Sequence, residues 1–397
     1  MRLALIADTF PPLRTSGAVQ LRDLSREFAR QGHKLTVLLP SPGQNEPWLL
    51  QEIDGVQVLR LKAHRTKDIG YVRRTLAEFA MPFAMLRQFR NSPLSRELWD
   101  GVIWYAPTIF HGPFVNALKK SSGCKSYLII RDIFPEWAVD MGLMTRGLPY
   151  RFFDAVARYQ YSVADTIGVQ TAGNLRYFDQ WWQQSGRRLE ILQNWLDTPV
   201  QVRGPIRVSE TCFSGRKVFL YAGNMGVAQG MDILLDLAEK LRSKKDIGFL
   251  FVGRGSDVIR LKTSARDRKL DNVIFYDEID PDEIPELCSQ CSAGIVALDT
   301  KHKSHNIPGK FLAYMQSGLP VLANVNAGND LAQMIRNEQV GQVCENNDLS
   351  ELLRLTNKLL TQIKTDSELP ARCEALFRKE FAVEKAVRQI VHSLSSN

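Results

Sequence analysis

Apolar and polar positions along this chain come in short blocks that predict strands and helices in turn. In the first half, apolar blocks typical of buried strands are followed by stretches with apolar residues every three or four positions, which predict helices. The predicted strands of this half are Leu3–Ala7, Lys34–Leu39, Val56–Leu61, Gly101–Trp104, Ser126–Ile130, Thr166–Val169 and Leu189–Leu192. The predicted helices are Val19–Gln31, Phe114–Ser121, Pro149–Ala164 and Ala172–Gln184. Short apolar strands separated by helices favour a parallel sheet covered on both faces.

The pattern breaks once and then resumes. Residues 199–217 are rich in proline and glycine and have little periodicity, so they are interpreted as a linker. Strands are then predicted at Val218–Ala222, Ile247–Val252, Val273–Tyr276, Ala293–Ala297 and Val321–Ala323. A closing helix is predicted at Glu374–Leu394. The predicted domains are therefore 1–198, 218–375 and a C-terminal helix, 376–397, that returns toward the first domain.

Each half begins with a strand that leads into a glycine loop and a helix. Gly17 follows the first strand, and the run from Gly223 to Gly230 lies between Val218–Ala222 and the helix that starts near Met231. A loop of this kind at a helix N-terminus presents free N–H groups and the positive end of the helix dipole to an anion. Two such starts predict two nucleotide-type α/β domains that face one cleft.

Composition agrees with two soluble domains. The chain has 397 residues, of which 44% are hydrophobic and 24% charged, and this length favours two cores over one. Its first apolar block is too short for a secretory signal, and no apolar run reaches the ~18–20 residues of a membrane span. The six cysteines are scattered, which fits a reducing compartment. We therefore expect a cytoplasmic protein.

Two short motifs resemble metal sites. Cys288 and Cys291 form a C-x-x-C, but neither a second pair nor a histidine pair lies near them in the sequence, so core packing is the favoured interpretation. Asp280 and Asp282 flank Pro281, and Asp280 as N-cap with Pro281 after it describes a helix start. The sequence predicts no metal site.

Positive charge is concentrated in residues 60–96. This stretch contributes +7 of the chain's net +8, and aromatic, Met and Leu residues are interleaved with the cations. Such a stretch suits an anionic membrane surface, with the protein lying in the interface; a solvated face over an ordinary helix pair remains the alternative. It contains no nucleic-acid-binding motif, so we expect no nucleic acid partner. The cations are Arg60, Lys62, Arg65, Lys67, Arg73, Arg74, Arg87, Arg90 and Arg96.

Several segments, in this order, resemble the retaining family 4 glycosyltransferases, which have the GT-B fold. The run from Gly223 to Gly230 is similar to that family's phosphate loop, and Gly253-Arg254-Gly255 to its G-x-G strand end. The run from Gly309 to Val321 resembles the donor-binding helix and the turn after it. Asn194-Trp195-Leu196-Asp197 resembles the exit from the first domain. The resemblance implies an α/β protein with two Rossmann-like, doubly wound parallel-sheet domains.

The chain departs from the family at charged positions. Asn224 and Gln229 stand where the phosphate loop has Arg and Lys, and His305 and Ala313 stand where the family has a Glu pair. Arg131 stands where it has a catalytic His. The segment around Arg131, R-D-x-x-P-E, resembles a subgroup that acts in bacterial surface-polysaccharide assembly and includes transferases of N-acetyl-L-fucosamine.

The resemblance implies a donor site in the second half. A nucleotide-sugar brings a diphosphate whose charge must be stabilised as the glycosidic bond breaks. Lys310 is the best placed cation, since its ammonium and the N–H groups at the start of the helix can bind the same anion. Gly17 would let the first loop approach the phosphate or sugar, and Ile279 would offer backbone groups to the base. The remaining candidates are Asn224, Gln229, Arg254, His305, Asn306 and Gly309.

The acceptor side is predicted at the strand end around residue 131, where open α/β sheets bind ligands. Asp132 would accept or orient the acceptor's hydroxyl proton, and Arg131 would contact phosphate, unless the two form a structural pair that caps the strand. Glu136 would share the role or simply follow Pro135 in the first turn of a helix. His111 is a weaker candidate.

These features predict a metal-independent, cofactor-independent transferase at the inner face of the cytoplasmic membrane. It would move a sugar from a UDP donor to a polyprenyl-diphosphate-linked saccharide, in O-antigen or capsule synthesis, with retained configuration as the resemblance implies. Two alternatives stay open. One is a nucleotide-sugar 2-epimerase of the same fold, and the other is a degenerate transferase that serves as an assembly partner.

Overall fold

The computed structural model describes residues 1–66, 69–179, 187–199, 202–299, 303 and 306–396. The chain forms two compact units. The first contains Met1–Gln193 and Val383–Asn397, and the second contains Asn194–Ala382. The boundary therefore lies at Gln193–Asn194 instead of after residue 198.

The first unit is built on one eight-stranded sheet with the order β3-β4-β2-β1-β5-β6-β7-β8. Its strands are β1 Arg2–Ile6, β2 Lys34–Pro42, β3 Trp48–Ile53, β4 Val56–Ala63, β5 Gly101–Ala106, β6 Lys125–Ile130, β7 Thr166–Val169 and β8 Arg188–Ile191. Its helices are α1 Ser16–Arg30, α2 Tyr71–Arg90, α3 Gly112–Ser122, α4 Glu136–Asp140 and α5 Leu148–Val163. All pairs are parallel except β3 with β4.

Strand β3 is absent from the sequence prediction. It is a half-exposed edge strand joined to β4 by a two-residue turn at Asp54 and Gly55, both with positive φ. An Asp-Gly pair favours this type of hairpin because glycine adopts positive φ without strain. The Asp-Gly turn was the sequence signal that could have predicted this strand, because β3 lacks the continuous apolar run of its buried neighbours.

The second unit is built on a six-stranded, all-parallel sheet with the order β11-β10-β9-β12-β13-β14. Its strands are β9 Lys217–Ala222, β10 Ile247–Val252, β11 Val273–Tyr276, β12 Ala293–Ala297, β13 Val321–Asn324 and β14 Gly341–Cys344. Its helices are α6 Asp232–Lys240, α7 Val258–Asp267, α8 Ile284–Ser289, α9 Gly309–Gln316, α10 Asp330–Asn337, α11 Leu349–Thr365 and α12 Leu369–Glu380. Two apolar clusters cover the two faces of this sheet, as expected of a doubly wound domain. The sequence prediction omitted only the four-residue edge strand β14.

Three predicted segments differ in the structure. The predicted linker, 199–217, contributes Ile206, Val208 and Phe213 to the core of the second unit. The predicted helix Ala172–Gln184 is a 3₁₀ helix over Ala172–Phe178, and its last residues lie outside the described part of the chain.

The predicted closing helix is two helices, α12 and α13 (Val383–Ser395). The break has a physical cause. Phe381 is fully buried, its ring meets that of Phe311, and its carbonyl accepts a hydrogen bond from the Leu196 N–H at 3.0 Å. The backbone of Phe381, with φ −121° and ψ 2°, leaves the helical range, so α12 ends here while the Phe381 ring and carbonyl are held by the second unit. The chain leaves the second unit at this break, and α13 belongs to the first unit.

Helix α13 is fixed to the first sheet by one carboxylate. Glu190 on β8 accepts hydrogen bonds from the Tyr127 hydroxyl at 2.7 Å, from Gln389 Nε2 at 2.9 Å and from Ser393 Oγ at 3.1 Å. Arg188 pairs with it at 2.9 Å. Donors from two strands and α13 thus converge on a side chain that is only 10% exposed. None of the helices within the described ranges is long and apolar enough to span a bilayer.

We expect Glu190→Gln to destabilise the protein by about 1–3 kcal/mol, because an amide offers one acceptor oxygen to donors that were paired with two. The midpoint and slope of urea unfolding measure this. Glu46→Gln, at an exposed position of the same unit, is the matched control and should leave the midpoint unchanged. Equal midpoints for the two variants would show that α13 is held by its apolar contacts alone.

Candidate functional site

Two glycines shape the end of the second sheet where β9 and β10 stop. Gly253 follows β10 with φ +149°, and a Cβ there would lie 2.0 Å from the Gly223 carbonyl oxygen. Gly255 has the same φ, and its Cβ would lie 2.2 Å from the Met225 oxygen. Only glycine allows the two loops to touch at these points. The contact is closed by a hydrogen bond from Met225 N–H to the Arg254 carbonyl at 2.7 Å.

The predicted phosphate loop is tied together by its own side chains. The Gln229 oxygen accepts from the Gly226 N–H at 2.9 Å and from Asn224 Nδ2 at 3.0 Å. The loop does not run straight into α6, because a 3₁₀ turn over Val227–Gln229 and then Gly230 intervene. The first residue of α6 is Asp232, which is paired with Arg260. Asn224 and Gln229 therefore shape the loop where the family's loop cations would be.

Lys310 supplies a cation at this loop from the neighbouring helix. It is the second residue of α9, and its Nζ lies 3.5 Å from the centre of the Tyr221 ring. Its Cε lies 3.3 Å from where a Cβ on Gly223 would be. Crowding by protein atoms lowers the pKa of the Lys310 ammonium to about 7, although part of the residue remains accessible to solvent. Within the described ranges, no carboxylate pairs with it.

Helix α9 is positioned by a buried phenol. The Tyr314 hydroxyl accepts from the Ala222 N–H at 2.9 Å and donates to the Leu220 carbonyl at 3.0 Å. Gly294 on β12 leaves room for this ring, since a Cβ there would lie 2.3 Å from it. The last residues of β9 and the second turn of α9 are thereby held in fixed register, and Lys310, one turn earlier in the same helix, is positioned with them.

The other predicted donor-binding residues differ in their exposure to solvent and in their partners. Arg254 is exposed and pairs with Glu278 at 3.0 Å. Ile279 packs on the core, and its backbone N–H and C=O make no hydrogen bond within the described chain. Asn306 is half-buried in the segment before α9, which Asn194 fixes by donating to the Ile307 carbonyl at 2.7 Å. His305 lies outside the described residues.

In the first unit, Arg131 is a buried structural group. Its guanidinium donates to the carbonyl oxygens of Leu192 at 2.9 Å and Gln193 at 3.3 Å. Burial lowers its pKa to about 10, and the neighbouring Tyr105 and Asp132 oppose that shift. Arg131 is not placed to make the phosphate contact that the sequence predicted, because its N–H groups donate to the backbone carbonyls that follow β8. Of the two readings of Arg131 and Asp132, a strand-capping role fits Arg131.

Asp132 is the accessible member of the pair. It is exposed to solvent, yet the surrounding protein disfavours its charged form and raises the pKa of its carboxyl. Asp8, at the end of β1, raises that pKa further, whereas Arg131 lowers it. Asp8 and the buried Tyr105 are groups that the sequence analysis missed, although each lies at the end of an apolar strand, where parallel sheets collect ligands.

Gly17 and Glu136 occupy structural positions. Helix α1 begins at Ser16, because the Thr15 side chain accepts from the Ala18 N–H, so Gly17 lies in the first turn instead of a loop ahead of the helix. A Cβ on Gly17 would lie 3.3 Å from the Tyr105 hydroxyl. Glu136 begins α4, and its two oxygens bind Tyr150 at 2.6 Å and Arg146 at 3.1 Å.

His111 is fully buried, and burial lowers its pKa to about 3, so the imidazole is neutral. Neither ring nitrogen has a hydrogen-bond partner within the described residues. Cys288 and Cys291 are protonated thiols, since burial raises the pKa of both. Asp280 forms the predicted capping box with Glu283. No group of three or more His, Cys, Asp or Glu suited to a metal occurs among the described side chains.

The structure therefore brings the predicted residues together as two separate groups. In the second unit, Gly223, Asn224, Gln229, Arg254 and Lys310 gather at the ends of β9 and β10. In the first unit, Asp132 stands with Arg131, Asp8 and Tyr105, and Glu136 turns away to α5. What the first group can do chemically is hold an anion. What Asp132 can do is accept a proton.

Part of the second unit matches a known family model. Residues 216–362 match the family model described as glycosyl transferases group 1. The chain is 23% identical over 380 residues to WcaI of Escherichia coli (strain K12), a glycosyl transferase assigned by its name to colanic acid biosynthesis, and this covers 87% of the chain and 86% of WcaI. It is 24% identical over 249 residues to WbjE of Pseudomonas aeruginosa, named as a glycosyltransferase, with 61% of each chain covered.

Solved structures share the fold over the whole chain. Anabaena HepE in complex with UDP-glucose superposes with a TM-score of 0.69 at 14% identity and covers 100% of both chains. WaaG, a glycosyltransferase involved in lipopolysaccharide biosynthesis, gives 0.67 at 14% identity, also over 100% of both. The predicted GT-B fold is thus confirmed. The domain match and the fold together support a glycosyltransferase.

We expect Lys310→Met to weaken binding of inorganic diphosphate about tenfold at pH 6, because a charge-assisted contact contributes about 1.5–3 kcal/mol. The Lys310 ammonium loses its proton as the pH rises through about 7. Wild-type affinity should therefore fall toward that of the variant between pH 6 and 8.5, as titration calorimetry would measure.

Lys240→Met, at an exposed position in α6, is the control. The titration of diphosphate itself is common to all three proteins and cancels in their ratio. A ratio of wild-type to Lys310→Met affinity near one at pH 6 would contradict the proposed anion site, whereas a tenfold ratio that stays constant across this pH range would contradict only the lowered pKa of Lys310.

Proposed function

We propose that this protein transfers a sugar from a UDP-sugar to a polyprenyl-diphosphate-linked saccharide during assembly of a bacterial surface polysaccharide. One observation carries the proposal. At the glycine-built end of β9, Lys310 presents an ammonium that no carboxylate neutralises within the described chain, beside N–H groups at the start of α9. A diphosphate is the anion that suits such a place.

On the donor side, Lys310 and the first N–H groups of α9 hold the diphosphate and stabilise its charge as the sugar leaves. Asn224 and Gln229 keep the loop in the shape that admits it, and the backbone of Ile279 contacts the base. No metal or other cofactor is required in this scheme, because the lysine and the helix start supply the positive charge. Anabaena HepE, which shares the fold, was solved with UDP-glucose, and this supports the choice of donor.

On the acceptor side, Asp132 orients or deprotonates the acceptor hydroxyl. Its accessible carboxyl lies at the carboxyl ends of parallel strands, where such sheets bind ligands. Arg131 acts as a positioning residue, since its hydrogen bonds join the last residue of β6 to the residue that follows β8. Retention of configuration would follow if the acceptor oxygen attacks the face from which the phosphate departs. The hydroxyl proton then goes to Asp132 or, where Asp132 only orients the hydroxyl, to the departing phosphate.

The names of relatives and the motif around Arg131 support the proposed pathway and sugar. WcaI and WbjE are named as glycosyltransferases, the first in colanic acid biosynthesis, and WaaG acts in lipopolysaccharide biosynthesis. The R-D-x-x-P-E segment resembles transferases of N-acetyl-L-fucosamine. We therefore propose O-antigen or capsule assembly as the process and N-acetyl-L-fucosamine as the transferred sugar.

A lipid-linked acceptor lies at a membrane, and α2 is the element suited to reach it. Exposed Arg73, Arg87 and Arg90 lie on the same helix as exposed Tyr71 and Leu76. Cations beside apolar side chains favour an anionic bilayer surface. We propose that this helix holds the enzyme at the inner face of the cytoplasmic membrane.

We expect UDP to raise the unfolding temperature of the protein, since a ligand at a hundred times its Kd stabilises the native state by about 2.7 kcal/mol. Asp132→Asn should keep this UDP effect but lower kcat by roughly 10²–10⁴. Transfer is measured by mass spectrometry with a panel of UDP-sugars and lipid extracts from a polysaccharide-producing bacterium. The wild-type rate should fall as the pH drops through the raised pKa of Asp132.

Asp54→Asn, in the β3–β4 turn, is the control for Asp132→Asn and should leave both readouts unchanged. Absence of stabilisation by UDP or any other nucleoside diphosphate would refute the proposed transferase. Full activity in Asp132→Asn would remove only the role given to that residue.

For the membrane contact, Arg73→Gln with Arg90→Gln should weaken sedimentation with phosphatidylglycerol vesicles about tenfold or more, because each cation near such a surface contributes about 1 kcal/mol. Vesicles of phosphatidylcholine should bind weakly in all cases. Arg203→Gln with Lys240→Gln removes two exposed charges from the second unit and serves as the control. Equal losses in both double variants would point to net charge instead of α2.

A further inference from the structure

Helix α2 has two apolar faces. Met81, Met85 and Phe89 are buried in the core of the first unit. Val72, Leu76, Phe79 and Phe83 form a second stripe at helical spacing, and all four are exposed to solvent. An ordinary surface helix has only one such stripe. The second stripe therefore favours contact with an apolar partner.

The exposed stripe continues inward as a row of aromatic rings. Phe83 meets Phe79 at 6.1 Å between centroids, and Phe79 meets Phe152 of α5 at 6.2 Å. Phe152 meets Phe153 at 5.3 Å, and Phe153 meets Phe134 at 5.1 Å. We call these five residues the aromatic row.

The aromatic row runs from solvent to the catalytic segment. Phe83, Phe79 and Phe152 are 52%, 47% and 41% exposed, whereas Phe153 and Phe134 are partly buried against the core. Phe134 is two residues after Asp132 in the chain. A flat bilayer surface would touch only the exposed end of such a row, whereas a single flexible apolar chain can follow it inward.

Charge around the row fits a chain that carries an anionic head. From residue 71 to 96 there are five arginines and one acid, Glu78. On α5, exposed Arg151 is adjacent to Phe152. In a polyprenyl-diphosphate-linked saccharide, the diphosphate lies between the apolar chain and the sugar that must reach Asp132.

We infer that the aromatic row binds the isoprenoid chain of the acceptor and thereby places the saccharide at Asp132. This rests on the proposed function and adds a site to it: recognition of the lipid part by the protein itself, beyond attachment to the bilayer. The row would select acceptors by their apolar chain. No bond is made or broken at this site.

Farnesyl diphosphate is a soluble probe with a short isoprenoid chain. With saturating UDP present, we expect it to bind the full-length protein at least tenfold more tightly than inorganic diphosphate, as followed by tryptophan fluorescence. Phe79→Ser with Phe152→Ser should abolish this tenfold preference. Leu49→Ser, which removes a side chain of similar exposure, 45%, from β3, should retain it.

Equal affinities of the wild type for the two probes would overturn the inference. It would also fail if the Phe79→Ser, Phe152→Ser protein lost binding to polyprenyl-free phosphatidylglycerol vesicles yet kept the farnesyl preference, since the row would then be a bilayer contact. Loss of a dimer in that variant, with the preference intact, would make the row a contact between copies. Stabilisation by UDP is read in parallel, so failure of the donor site is distinguished from failure of the row.

Discussion

The proposed donor site depends on the two hydrogen bonds of one buried phenol. The Tyr314 hydroxyl accepts from one residue at the end of β9 and donates to another, which locks α9 onto the strand. Everything proposed for the diphosphate follows from that register, because Lys310 extends from the same helix over Tyr221 and Gly223. A cation held in this way is already oriented before a ligand arrives, so little of the binding free energy is lost in ordering it.

Neighbouring residues in the sequence have opposite roles in the first unit. Arg131 is buried and donates hydrogen bonds to backbone carbonyls, whereas Asp132 is accessible to solvent. The arginine keeps the strand ends in place, and it also moderates the rise in the pKa of Asp132 that Asp8 and the surrounding protein produce. A carboxylate with a raised pKa is a stronger base than an ordinary one and therefore a better proton acceptor.

Local patterns predicted much of the fold, and long-range contacts account for what they left out. The buried strands were predicted from apolar runs and turn residues, and the place of Lys310 at a helix start was predicted from the resemblance of its segment to a donor-binding helix. The break between α12 and α13 was not, because it depends on Leu196, which is far away in the sequence. Gln229 and Arg131 were predicted as ligand contacts from their positions. Whether a polar side chain meets a ligand or its own backbone depends on packing that no short motif encodes.

The two units differ in the number of chain segments that form them. The second is a single uninterrupted segment, Asn194–Ala382, set within the first, whose final helix arrives only after that segment is complete. During synthesis on the ribosome, the second unit can therefore finish folding while the first still lacks the helix that Glu190 holds. A deletion within α13 accordingly acts on the unit that carries Asp132, although α13 directly follows the other unit in the chain.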